Sequence, residues 1–159
     1  MFVADVMLKK LARWLRLLGV EALYPDSEDD NEIIKFTKKN DKILLTMDSE
    51  LCRRARKEGV HVFLVPRRST EEQLVLLIKR FKLDVSDAPS KALCPLCNGM
   101  LKEVGKKDVK TKVTPELLSK HDVFWICKSC KKVFWEGSHW ERIRRNVERI
   151  KSMAKSQSD

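Results

Sequence analysis

The sequence lacks any apolar run that approaches the roughly 20 residues a membrane-spanning helix requires. Its first apolar segment, starting at Phe2, is interrupted early by Asp5 and by the pair Lys9 and Lys10. We therefore expect neither a signal peptide nor a membrane anchor. Internal repeats and extended low-complexity segments are also missing, which excludes repeat arrays and favours an ordinary globular protein.

The sequence has fewer acidic residues than basic ones. The 33 Lys and Arg residues outnumber the 23 Asp and Glu residues, for a formal net charge of +10. Residues 1–92 carry 18 basic and 15 acidic residues, whereas residues 93–159 carry 15 and 8, so most of the excess lies in the C-terminal part. Such a charge indicates a polyanionic partner, although charge alone does not separate RNA from DNA or from an acidic membrane.

Short apolar runs alternate with helical patterns in the N-terminal part. Strands are predicted over 2–4, 22–24, 42–46 and 60–65, and helices over 8–18, 33–39, 49–57 and from 70 onward. This alternation favours a parallel sheet with helices on its faces, which is an α/β domain. Segment 84–92 contains Ser, Asp and Pro and interrupts the pattern, so we predict one domain over 1–92 and a second unit over 93–159.

Four of the five cysteines form two CxxC pairs, Cys94 with Cys97 and Cys127 with Cys130. Two residues between paired cysteines let a tight turn aim both sulfurs at one point, and zinc prefers four tetrahedral thiolates. In a chain without a secretory signal, this pattern indicates a structural zinc ribbon and a cytoplasmic protein rather than disulfides. An amphipathic helix, with Trp140, Ile143, Val147 and Ile150 on one face, and a tail over 151–159 are predicted to follow.

Carboxylates follow two of the predicted strands. Asp5 and Asp48 come directly after strands that end at one edge of a parallel sheet, where α/β folds bind their ligands. Several further acidic residues lie between them, and clustered carboxylates favour Mg²⁺ or Mn²⁺. The alternative is that Asp5 and Asp48 only cap the helices they precede and that the other acidic residues form a solvated loop.

Basic residues accompany these carboxylates. Lys9, Arg13 and Arg16 share one face of the first predicted helix, and Arg53 opens a basic cluster after Asp48. Acidic metal ligands bordered by cations suit phosphodiester hydrolysis, because the metal activates water while the cations guide the polyanion. Taken alone, each basic run is more often just a solvated helix face.

The segments FVADVMLKKLARWLRLLG, DDNEII, ILLTMD and EEQLVLLIKRF, followed by CPLC, CKSC and VFWEGSHWERI, resemble the Mut-seven C-terminal ribonuclease family. The resemblance implies a PIN-like, RNase H-like three-layer α/β domain with a parallel sheet, followed by a four-cysteine zinc ribbon and a C-terminal helix. By analogy with PIN nucleases, it implies Mg²⁺- or Mn²⁺-dependent cleavage of RNA. Asp5, Asp30 and Asp48 match the family's acidic positions. If Asp30 points to solvent away from the other two, we assign the third role to Asp29 or Asp26.

Two positions depart from the family pattern: Met47 and Leu93 stand where arginines are expected. The leading hypothesis is an endoribonuclease with Asp5, Asp30 and Asp48 at its metal site and a ribbon that assists RNA binding. The alternatives are a non-catalytic RNA-binding or ribosome-associated module with a degenerate site, and a zinc-ribbon adaptor for proteins. RNA is the expected partner, without a membrane or a small-molecule cofactor, and the oligomeric state is not predicted.

Overall fold

A parallel sheet forms the centre of the N-terminal part of the chain. The computed structural model describes residues 1–86 and 88–155, together with their side chains except at 89, 138–140, 142–143 and 154–155. The sheet contains β1 (Phe2–Ala4), β2 (Ala22–Leu23), β3 (Ile43–Thr46) and β4 (Val62–Leu64). Their order across the sheet is β2–β1–β3–β4, and every neighbouring pair is parallel. The carboxyl ends of β1 and β3 are therefore adjacent.

Four helices connect and cover these strands: α1 (Lys9–Leu17), α2 (Asp30–Lys39), α3 (Ser49–Lys57) and α4 (Thr70–Phe81). A 3₁₀ turn over Val6–Leu8 precedes α1. Helix α1 ends before Gly19, whose φ of +83° lies in the left-handed region that glycine adopts without strain. Helix α4 begins with a capping box, in which Ser69 and Glu72 satisfy each other's backbone N–H groups.

Successive side chains of the strands point to opposite faces of the sheet, and each face has its own core. On one face, Phe2, Ala4 and Leu45 pack with α1 and α4. On the other face, Val3 and Leu44 pack with the buried residues of α2 and α3, namely Ile33, Ile34, Leu51 and Ala55. The predicted three-layer α/β architecture is thus confirmed, because two helical layers enclose one parallel sheet.

A second, smaller sheet carries the two cysteine pairs. It is antiparallel and contains β5 (Leu101–Gly105), β6 (Val123–Cys127) and β7 (Val133–Trp135) in that order. The long connection between the pairs holds two short helices, α5 (Lys106–Val109) and α6 (Pro115–Lys120). A small antiparallel sheet with a helical excursion is therefore the structure of the predicted ribbon.

Helix α7 (Ser138–Lys155) completes the described chain. Val147 and Ile150 are buried in the same core as Phe2 and α4, and Arg149 forms an ion pair with Glu71 of α4. The C-terminal helix, which the sequence analysis grouped with the ribbon, thus covers the N-terminal sheet. The side chains of Trp140 and Ile143, predicted on its apolar face, lie outside the described residues. The prediction of a tail over 151–159 is wrong for 151–155, which continue α7, and residues 156–159 lie outside the described residues. Across the described chain, every helix is too short or too polar to span a bilayer.

Candidate metal and nucleic-acid sites

Thr46 links the Asp5 carboxylate to the Asp48 backbone at the carboxyl edge of the parallel sheet. The register pairs Ala4 with Leu45, which brings Asp5 level with Thr46. The Thr46 hydroxyl oxygen accepts the Asp48 N–H at 2.9 Å, and its single proton is donated to Asp5 Oδ2. Thr46 is fully buried and Asp5 is 3% exposed, so this arrangement is fixed inside the fold.

Both aspartates also cap helical turns, as the capping alternative predicted. Asp5 Oδ1 accepts the Met7 N–H at 2.9 Å. Asp48 Oδ1 accepts the N–H groups of Glu50 and Leu51 at 2.7 and 3.1 Å. Within the described chain, Asp48 Oδ2 has no hydrogen-bond partner, and the side chain is exposed. Capping therefore occupies one oxygen of Asp48 and leaves the other for a further ligand.

Asp30 lies at the start of α2 and faces α3. Its Oδ2 accepts a hydrogen bond from Arg54 Nη1 at 2.7 Å, and Arg54 Nη2 donates to Asn31 Oδ1 at 2.6 Å. Helix α2 begins at Asp30 because Asp29 is its N-cap, with Oδ1 accepting the Glu32 N–H at 3.0 Å. The sequence pattern placed this helix start near Glu32. Arg54 thus holds Asp30 in place, whereas the sequence identifies Arg54 only as a member of a basic cluster.

Two other acidic residues share the surroundings of Asp5. Burial, followed by the negative charges of Asp5, Glu28 and Asp26, raises the pKa of Tyr24. The Tyr24 hydroxyl donates to the Val6 carbonyl at 3.2 Å, directly after Asp5. The protonated phenol therefore persists at neutral pH and ties β2 to the end of β1.

The four paired cysteines converge at one point. Their Sγ atoms all lie within 4.8 Å of one another, with Cys94 to Cys130 at 3.7 Å and Cys97 to Cys127 at 3.4 Å. Four thiolates about 2.3 Å from one tetrahedral zinc ion are about 3.8 Å apart, so the cluster is consistent with structural zinc. In the part of the chain that the structure describes, no other three metal-binding side chains come this close, and Asp5, Asp30 and Asp48 do not form such a group.

Each cysteine pair lies in a turn closed by a residue with a left-handed backbone. Asn98 and Lys131, with φ of +67° and +60°, follow Cys97 and Cys130 directly. Gly99 packs against the second turn so closely that an added Cβ would lie 2.9 Å from Cys127 Sγ and 2.5 Å from Ser129 Oγ. A larger residue there would require Ser129 and Cys127 to shift, so Gly99 lies in direct contact with the cysteine cluster.

Arg16, predicted to bind RNA, lies instead inside the fold. It is 5% exposed, its Nε donates to the Ala22 carbonyl at 2.7 Å, and its Nη1 donates to the carbonyls of Pro95 and Leu96 at 3.0 and 3.1 Å. Its own carbonyl accepts the Leu93 N–H at 2.8 Å. Burial lowers the pKa of Arg16, whereas Cys94 and Cys97 act in the opposite direction. These contacts join α1, β2 and the first cysteine turn, so the guanidinium is not available to a phosphate.

The other predicted RNA-binding cations lie on the surface. Lys9 stands over the Tyr24 ring, with Nζ 5.6 Å from the ring centroid. Arg13 is exposed and makes no hydrogen bond or ion pair within the described chain. Arg53 pairs with Glu50 one turn away on α3. Lys9 and Arg13 are therefore more accessible to an incoming anion than Arg53.

Three residues in these sites were missed by the sequence analysis. Thr46 was assigned only to a strand, although a polar side chain ending a buried apolar run is a signal of an internal hydrogen bond. Arg54 was not matched to Asp30, and no local sequence signal pairs residues 24 positions apart. Asn98 Oδ1 accepts the Ala22 N–H at 3.0 Å and thereby caps the edge strand β2 from the cysteine turn. Its position after a CxxC pair indicates a turn but not this contact.

Comparison with known proteins adds one match. The family model described as the Mut7-C RNAse domain matches residues 1–147, which include both sheets and most of α7. No curated protein and no solved structure matches the chain. The matched range covers both the parallel-sheet domain and the cysteine ribbon.

Proposed function

The chain belongs to the Mut7-C RNase domain family, and from this premise we propose that it is a metal-dependent endoribonuclease. The observation that carries the proposal is the placement of Asp5 and Asp48 at the ends of adjacent parallel strands, joined through Thr46. Helix capping accounts for one oxygen of each residue. It does not account for the buried Thr46 hydroxyl, which donates to the Asp5 carboxylate and accepts the Asp48 backbone N–H.

In this proposal, Asp5, Asp48 and Asp30 hold Mg²⁺ or Mn²⁺ at the carboxyl edge of the sheet. When bound, the cation activates water and offsets charge on the phosphoryl group. Thr46 fixes the direction in which Asp5 presents its carboxylate, and the Asp48 oxygen without a hydrogen bond faces solvent. Asp30 joins this set when its ion pair with Arg54 opens, which leaves the guanidinium free for a phosphate oxygen.

The four cysteines hold one structural zinc ion in the same proposal. Zinc would fix the first cysteine turn, from which Asn98 and the carbonyls of Pro95 and Leu96 contact β2 and α1. The basic ribbon assists RNA binding, and Lys9 and Arg13 extend the positive surface onto α1. We propose a cytoplasmic location, since cysteines that bind zinc stay reduced there.

A second function is supported by a different observation. The Asp30–Arg54 pair satisfies one of the three acidic residues, and Met47, which stands where the resemblance leads us to expect an arginine, packs against the core. Gln73 Nε2 lies 3.5 Å from Met47 Sδ, which keeps that side chain on the protein interior. These contacts favour an RNA-binding or ribosome-associated module without an efficient catalytic site.

A comparison of RNA cleavage by the wild type and by Asp48→Asn distinguishes the two proposed functions. Asparagine retains the Oδ1 cap on Glu50 and Leu51 but lacks the negative charge, so the fold is retained. We expect the zinc-loaded wild type to cleave single-stranded and structured RNA with Mn²⁺, and we expect the variant to bind RNA without cleaving it. Equal cleavage by both proteins would refute the assignment of Asp48, and no cleavage of any RNA by the wild type would favour the binding module.

A further inference from the structure

A groove lies between α1 and the first cysteine turn, and Tyr24 is part of its lining. We call it the α1–turn groove. It has a volume of about 330 Å³, within the range of about 300–1,000 Å³ typical of ligand pockets. Its lining includes Lys9, Arg13, Tyr24, Phe36, Leu96 and Cys97. Cationic, aromatic and aliphatic side chains thus share one concave surface.

The charge of the groove is suited to an anion. Lys9 and Arg13 are exposed at its α1 side, whereas Asp26 is the acidic residue among the lining side chains. Lys9 and Arg13 are four residues apart, which places them on one face of the helix. Their two positive charges are therefore about one helical turn apart.

The apolar part of the groove is suited to a nucleobase. Tyr24 and Phe36 are half-buried, and Leu96 is 50% exposed on the surface of the cysteine turn. Nucleobases that are not paired stack on such side chains regardless of sequence, because every base has a π-face. In an A-form duplex the bases are stacked and paired, so they cannot enter this groove of the protein.

The groove adjoins the carboxylate edge of the sheet through Tyr24. Tyr24 lines the groove, and its hydroxyl donates to the Val6 carbonyl next to Asp5. Tyr24 is therefore shared by the groove and the surroundings of Asp5. We propose that the α1–turn groove binds an unpaired nucleotide of the RNA substrate, with its phosphates on Lys9 and Arg13 and its base against Tyr24 and Leu96. This inference rests on the proposed function, since it specifies single-stranded RNA as the substrate class.

Binding of a labelled uridine decamer to the full, zinc-loaded chain tests the groove without requiring cleavage. Fluorescence anisotropy, measured over a salt series without added divalent cation, gives the slope of log K against log salt. We expect Arg13→Ala to reduce the magnitude of this slope by about 0.7, the contribution of one single-strand phosphate contact. Lys10→Ala is the matched control, because Lys10 is exposed on the same helix and does not line the groove.

A second pair of variants tests the apolar contact of the groove. Leu96→Ala is expected to weaken decamer binding roughly fivefold at unchanged salt slope, since it removes half-exposed apolar area without charge. Met100→Ala, at a residue 59% exposed outside the groove, should leave binding unchanged. An RNA hairpin with a short, closed loop should compete with the decamer less well than unlabelled decamer does.

Equal slopes for Arg13→Ala and Lys10→Ala would overturn the proposal, as would equal competition by the hairpin. These results are independent of the catalytic assignment. If the groove variants behave as expected but Asp48→Asn cleaves RNA normally, the proposed catalytic site fails and the groove stands. If Asp48→Asn loses cleavage while the groove variants bind like their controls, the groove fails and the catalytic site stands.

Discussion

Replacing Arg16 with methionine should destabilise the protein and loosen its cysteine cluster. Methionine keeps much of the apolar length of the side chain but removes three hydrogen bonds from the guanidinium to backbone carbonyls. The bond to the buried Ala22 carbonyl is worth about 1.5–3 kcal/mol and the two half-buried bonds about 1 kcal/mol each. Because removing a buried charge also removes its desolvation cost, we expect a net loss of about 2–4 kcal/mol in the free energy of unfolding.

Urea unfolding followed by circular dichroism measures this loss, and a chromogenic chelator measures the rate of zinc release. Since Arg16 contacts Pro95 and Leu96 between two cysteines, zinc release should accelerate in Arg16→Met. Arg13→Met is the control, because Arg13 is exposed one turn earlier and an exposed substitution changes stability by about 0.5 kcal/mol or less. If Arg16→Met matches Arg13→Met in both measurements, Arg16 does not join the two parts of the fold.

Further outcomes follow from the same geometry. The purified protein should contain about one zinc per chain by metal analysis, and Cys94→Ser or Cys127→Ser should release it. Gly99→Ala should weaken zinc retention through the contact with Cys127 Sγ, whereas Gly105→Ala, where a Cβ meets nothing within 4 Å, should not. In a Mn²⁺ cleavage assay, Asp30→Asn should lower the rate roughly a hundredfold while Asp26→Asn has little effect, and the reverse order would transfer the third acidic role to Asp26. Ile150→Ala should lower the free energy of unfolding by about 2–4 kcal/mol because the side chain is fully buried, and exposed Glu148→Ala is its control in urea unfolding.

The sheet and the cysteine cluster were predictable because their signals are local. A parallel strand such as Ile43–Thr46 is a continuous apolar run, since both of its faces are buried. Two CxxC pairs carry their ligand geometry within four residues each. These patterns were sufficient for the α/β domain, the ribbon and the C-terminal helix.

The partners of individual charges were not predictable in the same way. Arg13 and Arg16 look alike in the sequence, yet Arg13 is exposed whereas Arg16 is buried against residues about 80 positions away. The pairing of Asp30 with Arg54 likewise depends on how α2 packs beside α3. Helical periodicity identifies the face on which a cation lies, but it does not indicate which distant backbone covers that face.

Binding of Mn²⁺ to the zinc-loaded protein tests most directly whether the edge formed by β1 and β3 is a catalytic metal site. The electron paramagnetic resonance signal of free Mn²⁺ reports how many ions each variant removes from solution. We predict that the wild type and the exposed-surface control Asp84→Asn bind one or two ions per chain, whereas Asp5→Asn and Asp48→Asn lose this binding and retain their zinc. Equal Mn²⁺ binding by all four proteins, or no binding by the wild type, would contradict the assignment of Asp5 and Asp48 as metal ligands.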